Sequence, residues 1–227
     1  PALTNLLPNE TVNETQQTLT TNNPSLLPQM STNWDASLDY YFEPVGSVSV
    51  SWFRKRIRDY IVTGTNVGTV PSGNNNGFNG EYAGFTILTS ANAGTATVNG
   101  WEFAYQQQFT FLPGFLKGLG ASANYTLIST HGDFGGTVQR STNEVAGFIP
   151  RTANLVPSWR LGAFICRVRV SYTSGYLDTY NATNPALNIY SRRRVLVSPS
   201  LAYELRPSLG LSLEVSNLTH EFQERYQ

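Results

Sequence analysis

The 227-residue sequence predicts an all-β chain: an antiparallel transmembrane β-barrel segment of about eight strands. Three observations predict it. Apolar and polar residues alternate with a period of two through about eight segments, which sorts them onto opposite faces of strands. Connections alternate between tight turns, near residues 44, 114, 162 and 207, and roomy polar loops, near 80, 140 and 183. Charged residues make up 13% of the chain and aromatics 12%. Soluble domains carry roughly 25% charged residues, so the deficit calls for a surface that faces something other than water.

The elements follow in chain order. Residues 1–30 are rich in Asn, Thr and Pro without periodicity and read as a loop. From Asn33, the residues Trp34, Ala36, Leu38, Tyr40 and Phe42 alternate with Asn33, Asp35, Ser37, Asp39 and Tyr41. Glu43 to Gly46 turns the chain. Val48, Val50 and Trp52 then alternate with Ser47, Ser49 and Ser51, and Phe53, Ile57 and Ile61 continue the apolar series with its parity changed. A β-bulge near Trp52 is expected to account for the switch. A polar loop from about 64 to 95 follows.

Trp101, Phe103, Tyr105, Phe109 and Phe111 mark the next strand, and Leu119, Ala121, Ala123, Tyr125 and Leu127 the one after. Beyond a loop from about 131 to 148, the series Ala153 to Leu161 turns at Gly162 into Phe164, Cys166, Val168, Val170 and Tyr172. A loop around 180–185 leads to Val195, Val197, Pro199, Leu201 and Tyr203. Arg206 to Ser208 turns the chain into Leu209, Leu211, Leu213 and Val215. Each strand approaches the ~9–11 residues that cross a bilayer at a tilt. Short turns on one side and long loops on the other are the habit of outer-membrane barrels.

Composition excludes other classes. Net charge is zero and the pI is near 7.3, so no excess of either sign points to nucleic acid. Cys166 is the sole cysteine, which excludes an internal disulfide; with only His131 and His220 beside it, no zinc site is expected. No run approaches the ~20 apolar residues of a membrane helix. Pro1 to Glu10 lacks the basic and apolar regions of a signal peptide. His131-Gly132-Asp133 has no serine placed beside it, so neither a catalytic site nor an enzyme is expected, and no cofactor or metal site.

The sequence resembles the TonB-dependent outer-membrane receptor family. Asn23-Pro24-Ser25-Leu26, Pro28-Gln29 and Ser31-Thr32-Asn33 look like that family's lead into a descending barrel strand, although Leu27 and Gln29 depart from its usual basic and acidic residues. Phe53, Arg54, Ile57, Asp59, Tyr60 and Ile61 are similar to its aromatic, basic, Ile-x-x-aromatic-Ile strand. Asn99-Gly100-Trp101-Glu102-Phe103 looks like a strand opening, Pro150 to Asn154 like the start of a later strand, and Val215-Ser216-Asn217-Leu218-Thr219 like the V-x-N-L-T near the penultimate strand. No single motif is specific; their order and spacing across residues 20–225 carry the likeness. The resemblance implies a 22-stranded barrel, of which this chain supplies strands 14 to 21 approximately. Residues 1–30 would be an extracellular loop, 31–218 about eight strands and 219–227 the start of the last loop. The plug, the TonB-box and the final strand are expected outside this piece.

Candidate sites divide by height on the wall. Tyr40, Phe42, Phe109, Phe111, Trp159 and Tyr203 lie near short turns and read as a membrane-interface girdle; the alternative is packing in a soluble β-core. The polar set Asp35, Asp39, Glu102, Gln106, Gln108, Asn124, Arg167, Arg169 and Glu204 reads as a lumen wall, or as an ordinary solvated face. In the loops, Phe78, Tyr82, Phe85, Phe134, Tyr176 and Tyr180 are candidates to stack on a ligand, against loop-to-loop packing. Arg192, Arg193 and Arg194 suit an anionic substrate, or a salt-bridge network with acids or lipopolysaccharide phosphates.

By resemblance, the function is TonB-energised uptake of a scarce solute across the outer membrane of a Gram-negative bacterium. A ferric siderophore leads, with cobalamin, haem or glycan behind it. Expected partners are outer-membrane lipid and lipopolysaccharide, TonB through the N-terminal region, and a small-molecule or metal-chelate substrate. The rivals are a passive porin-like channel, which lacks a plug, and a soluble carbohydrate-binding β-protein, which folds without detergent.

Overall fold

The computed structural model describes residues 1–92, 94–133, 142–181, 184–206 and 208–227. Eight strands form one sheet: β1 (Met30–Phe42), β2 (Gly46–Arg58), β3 (Thr95–Gln108), β4 (Leu119–Asp133), β5 (Arg151–Leu161), β6 (Phe164–Thr173), β7 (Arg194–Arg206) and β8 (Leu209–Glu214). Their order in the sheet is their order in the chain. Every neighbouring pair is antiparallel. Short turns can join only antiparallel neighbours, and the tight links of the sequence serve that purpose. The sheet does not close on itself; β1 and β8 are its edges.

Register carries one apolar face across all eight strands. Leu38 opposes Val50, which opposes Phe103, which opposes Tyr125. Tyr125 opposes Ala153, Ala153 opposes Tyr172, and Tyr172 opposes Val195. Farther along, Leu201 opposes Leu213. Among the described residues no layer covers this face: Leu38 is 72% exposed and Leu213 67%. A buried Leu or Phe side chain is worth roughly 1.5–3 kcal/mol relative to an exposed one, so a wall with a whole face of them uncovered is stable only against hydrocarbon. A β-sandwich would hide the same residues between sheets.

The buried apolar residues lie instead at the long-loop end. Among the described residues they are Leu19, Leu26, Val70, Ala96, Val98, Val145 and Leu177. Residues 1–30 and 64–95, expected as loops, hold strands of their own. A second sheet orders Glu10–Asn13, Thr18–Thr21, Thr86–Asn92 and Ile61–Thr69. Its central pair, Thr18–Thr21 with Thr86–Asn92, is parallel. Thr- and Asn-rich strands that pair above the wall have no lipid to face, so they lack the alternation by which the wall strands are found. A third small sheet joins Tyr176–Thr179, Ile189–Ser191 and Arg225–Tyr226.

Two further expectations need correction. The ladders of β2 run without a register shift from Gly46 to Arg58 on both sides, so there is no bulge near Trp52. Phe53 and Ile57 occupy the polar face, opposite Gly100 and Ala96. Near the loops that face is no longer wet: Ala96 is fully buried and Val98 nearly so. Apolar residues therefore change faces without any change in the strand. The second correction concerns Phe109 and Phe111. β3 ends at Gln108, and both rings lie in the short link to β4, packed edge to face at 5.9 Å.

Glycine matters at two places on the wall. Gly162 has φ 58° in the two-residue turn from Leu161 to Phe164, a conformation that L side chains rarely adopt. At Gly46 the Phe42 ring lies where a Cβ would stand; that ring also stacks on Tyr40 at 6.0 Å and Tyr105 at 6.5 Å.

The alternation predicts unequal costs for a charge at neighbouring positions. Leu38→Arg, in the middle of the apolar face, should destabilise the bilayer-embedded protein by about 2–4 kcal/mol. Ser37→Arg, on the other face, should cost about 0.5 kcal/mol or less. Chemical denaturation in lipid vesicles measures both.

Candidate functional surface: the polar wall and the loop crown

The second face of the sheet gathers the polar residues. Register places Asp35 and Asp39 on β1, Glu102, Gln106 and Gln108 on β3, and Asn124 on β4 together on it, with Arg167 and Arg169 on β6 and Glu204 on β7. Its charge is divided. Asp35, Asp39 and Glu102 stand on the β1–β3 side with Lys55 among them, whereas Arg160, Arg167, Arg169 and Arg194 stand on the β5–β7 side with Glu204 among them. Between them runs a neutral ladder: Asn154 Nδ2 donates to Asn124 Oδ1 at 3.0 Å, and Ser171 Oγ donates to Asn154 Oδ1 at 2.6 Å. Arg160 meets Glu204 at 3.5 Å, with both side chains more than half exposed. Such a pair contributes little stability.

Asparagine builds the loop crown, because its side chain can both accept from and donate to backbone. Asn92 Oδ1 accepts from Leu27 N at 2.8 Å, and Asn92 Nδ2 donates to Leu27 O at 3.0 Å and Asp59 O at 2.8 Å. One side chain thus ties the lead segment to the end of β2. Asn76 folds the 73–82 loop in the same way, accepting from Phe78 N and Gly80 N at 2.9 Å and donating to Glu81 O at 2.8 Å. At the other end of the wall sequence, Asn217 holds Glu221 through both backbone groups. Leu218 N donates to Val197 O at 2.8 Å. The V-x-N-L-T stretch is therefore a strap that lays the C-terminal segment back along β7.

The structure brings some candidate residues together and leaves others apart. Phe78, Tyr82 and Phe85 form one half-buried ring cluster, with centroids 5.8 Å and 5.4 Å apart. Tyr176 opens the strand facing Ile189–Ser191, opposite Ser191, and Tyr180 follows that strand. Phe134 lies outside the described residues. Arg192 pairs with Glu224 at 2.6 Å. The hydrogen bond and charge of Glu224 raise the guanidinium pKa above its ordinary value. Arg193 is exposed, and Arg194 opens β7 opposite Thr173. Tyr40, Trp159 and Tyr203 sit on the apolar face near the short turns, with Phe42 beside them. Trp159 Nε1 donates to Phe115 O at 3.0 Å, so its ring spans the apolar face and the link below it. The sequence did not single out Glu224 as the partner of Arg192. A short strand far along the chain joins them, and no local spacing signals that.

Residues 1–218 match the family described as TonB-dependent receptor-like, β-barrel. No curated protein matches the chain by sequence. Among solved structures, a mutant of the ferric enterobactin receptor from Pseudomonas aeruginosa is similar, with a TM-score of 0.65 and 19% identity, covering 89% of this chain. The siderophore receptor from Acinetobacter baumannii gives 0.62 and 19% over 89%. A copper transporter gives 0.62 and 15% over 88%. The chain spans 27%, 29% and 27% of those proteins, respectively. At these identities the likeness establishes the fold.

Removal of one crown asparagine should loosen the seam between lead segment and wall. Asn92→Ala deletes three hydrogen bonds worth about 1 kcal/mol each. Amide hydrogen exchange at Leu27 should accelerate by roughly 30-fold or more, while exchange within β5 and β6 stays unchanged. Equal protection of Leu27 in both proteins would contradict the seam.

Proposed function

The chain belongs to the TonB-dependent receptor-like β-barrel family, and from that premise we propose that it supplies wall and loop crown to an outer-membrane receptor for TonB-energised uptake of a scarce solute. A ferric siderophore is the substrate class favoured here. Two of the similar structures are receptors named for siderophores or their ferric forms, and a third is named as a copper transporter. The observation that carries the membrane reading is the uncovered apolar face, continuous over eight strands and bordered by aromatic residues at its short-turn end.

In this reading the short turns face the periplasm and the crown faces the medium. The polar face lines the lumen against a plug contributed by the rest of the receptor. Strands from the remaining barrel pair with β1 and β8, because lipid leaves no unpaired sheet edge tolerable. The 70–85 segment and the sheet formed by Tyr176–Thr179, Ile189–Ser191 and Arg225–Tyr226 stand where solute would first arrive. Ring clusters and Arg193 are available there for a chelate bearing aromatic and anionic groups.

Iron-starved cells carrying the full receptor test this reading. Uptake of labelled ferric enterobactin should require both the receptor and TonB. Deletion of residues 71–84 should weaken binding at least tenfold while the barrel still reaches the outer membrane. Uptake that persists without TonB would favour the passive channel instead.

A further inference from the structure

The C-terminal segment is held to the crown without a core. Every residue from 219 to 227 is exposed. Phe222 is 74% exposed and Tyr226 55%, so burial does not fix the segment. It docks all the same. Tyr226 opposes Tyr190 and Arg225 opposes Ser191 in a short ladder, and Arg192 N donates to Glu224 O at 3.0 Å. The two tyrosine rings stack at 5.7 Å. Two of the three ion pairs among the described residues fall at this dock. Arg192 Nη1 meets Glu224 Oε2 at 2.6 Å. Arg225 Nη2 reaches past the middle strand of the small sheet to Asp178 Oδ2 at 3.2 Å.

Charge sets the register of this dock. The segment presents Glu224 and then Arg225; the 176–191 hairpin and its next residue present Asp178 and Arg192. A slip by one residue would set Arg225 against Arg192, and like charges directly opposite destabilise a strand pair. Charge does not make the dock strong. Exposed ion pairs contribute little and weaken with salt. Against them stands Ser191, whose Oγ is buried with no hydrogen-bond partner among the described residues. A buried hydroxyl left unpaired costs more than an exposed ion pair returns. Lifting the segment opens the strand edge beside Ser191 to water. The base of the segment stays put: Thr219 Oγ1 donates to Val195 O at 3.2 Å, and Asn217 holds Glu221. Motion is thus confined to residues 222–227.

We propose that residues 222–227 are a latch, closed onto the 176–191 hairpin by the crossed pairs Arg192–Glu224 and Asp178–Arg225, and balanced so that screening of those pairs releases it. Closed, the latch completes a run of backbone contacts across three loops: Tyr226 to Tyr190, Tyr190 to Leu177, and Leu177 O to Gly147 N at 2.8 Å. This side of the crown then moves as one plate. Open, the Ile189–Ser191 strand has a free edge, and the segment after β8 moves apart from the other two loops. Ionic strength thereby sets how rigid this side of the crown is. The device is independent of which solute the receptor carries.

Pulsed electron double resonance on the full receptor in lipid nanodiscs tests the latch. Cys166→Ala removes the native thiol, and spin labels go on Thr179→Cys and Gln223→Cys, at two exposed positions. At ~0.05 M salt one narrow distance should dominate. At ~1 M salt, where charges are screened within a few ångströms, the share of a second, longer distance should grow roughly threefold or more. Glu224→Arg should populate the longer distance already at low salt, and adding Arg192→Glu should restore the narrow one. Ser191→Ala, which removes the unpaired hydroxyl, should cut the open share at high salt about twofold or more. Heat-modifiable gel mobility verifies that each variant is folded. A distribution that ignores salt would overturn the proposal. So would a folded Arg192→Glu/Glu224→Arg protein as open as Glu224→Arg alone, or a Ser191→Ala protein as open as the wild type.

Discussion

The structure depends on a single constraint: in hydrocarbon, every backbone N–H and C=O must find its partner inside the protein. A meander of antiparallel strands meets it along its length, and each wall strand here is bonded to its chain neighbours with few breaks in register. Once the backbone is satisfied, the side chains need only sort by face. The pleat does that automatically, because successive residues point opposite ways. The wall thus has no core in the ordinary sense. Its apolar side chains wait for a solvent that the chain itself does not supply.

The crown obeys the ordinary rule for water. Its strands bury Leu19, Leu26 and Val70, and its turns are fixed by Asn22, Asn76, Asn92 and Asn217 through backbone contacts. This division of labour explains the composition. Asn, Thr and Gly concentrate where backbone must be held in irregular paths, while Leu, Val and aromatics concentrate where the strand faces lipid. It also places loops on a rigid support, the usual arrangement for a binding surface.

The wall was legible from the sequence because lipid imposes a period-two rhythm over long segments. Trp34 to Phe42, Trp101 to Tyr105 and Phe164 to Tyr172 all lie on the face assigned from alternation. Legibility failed where the solvent changes. Beyond Trp52 the rhythm shifts because the opposite face, around Ala96 and Val98, becomes the dry one near the loops. Reading that shift as a bulge assumes one environment for the whole strand. The same assumption hid Arg54, Arg56 and Arg58, whose face is evident only when the ladder is known to be unbroken. The crown strands were illegible for a related reason. Thr18–Thr21 and Thr86–Asn92 meet as a parallel pair across 68 positions of sequence, as in the bond from Thr89 Oγ1 to Thr21 O, and polar strands half-buried on both faces carry no rhythm.

The sole cysteine gives direct access to the central claim. Cys166 lies on the apolar face of β6, opposite Trp159 and Leu201, and the next residue, Arg167, lies on the other face. An environment-sensitive dye on Cys166, in receptor reconstituted with quencher-bearing lipid, should be strongly quenched. The same dye at position 167, introduced as Arg167→Cys with Cys166→Ala, should be quenched little and should report water. Equal quenching at both positions, or stronger quenching at 167, would contradict a wall that turns one face to lipid and the other to a lumen.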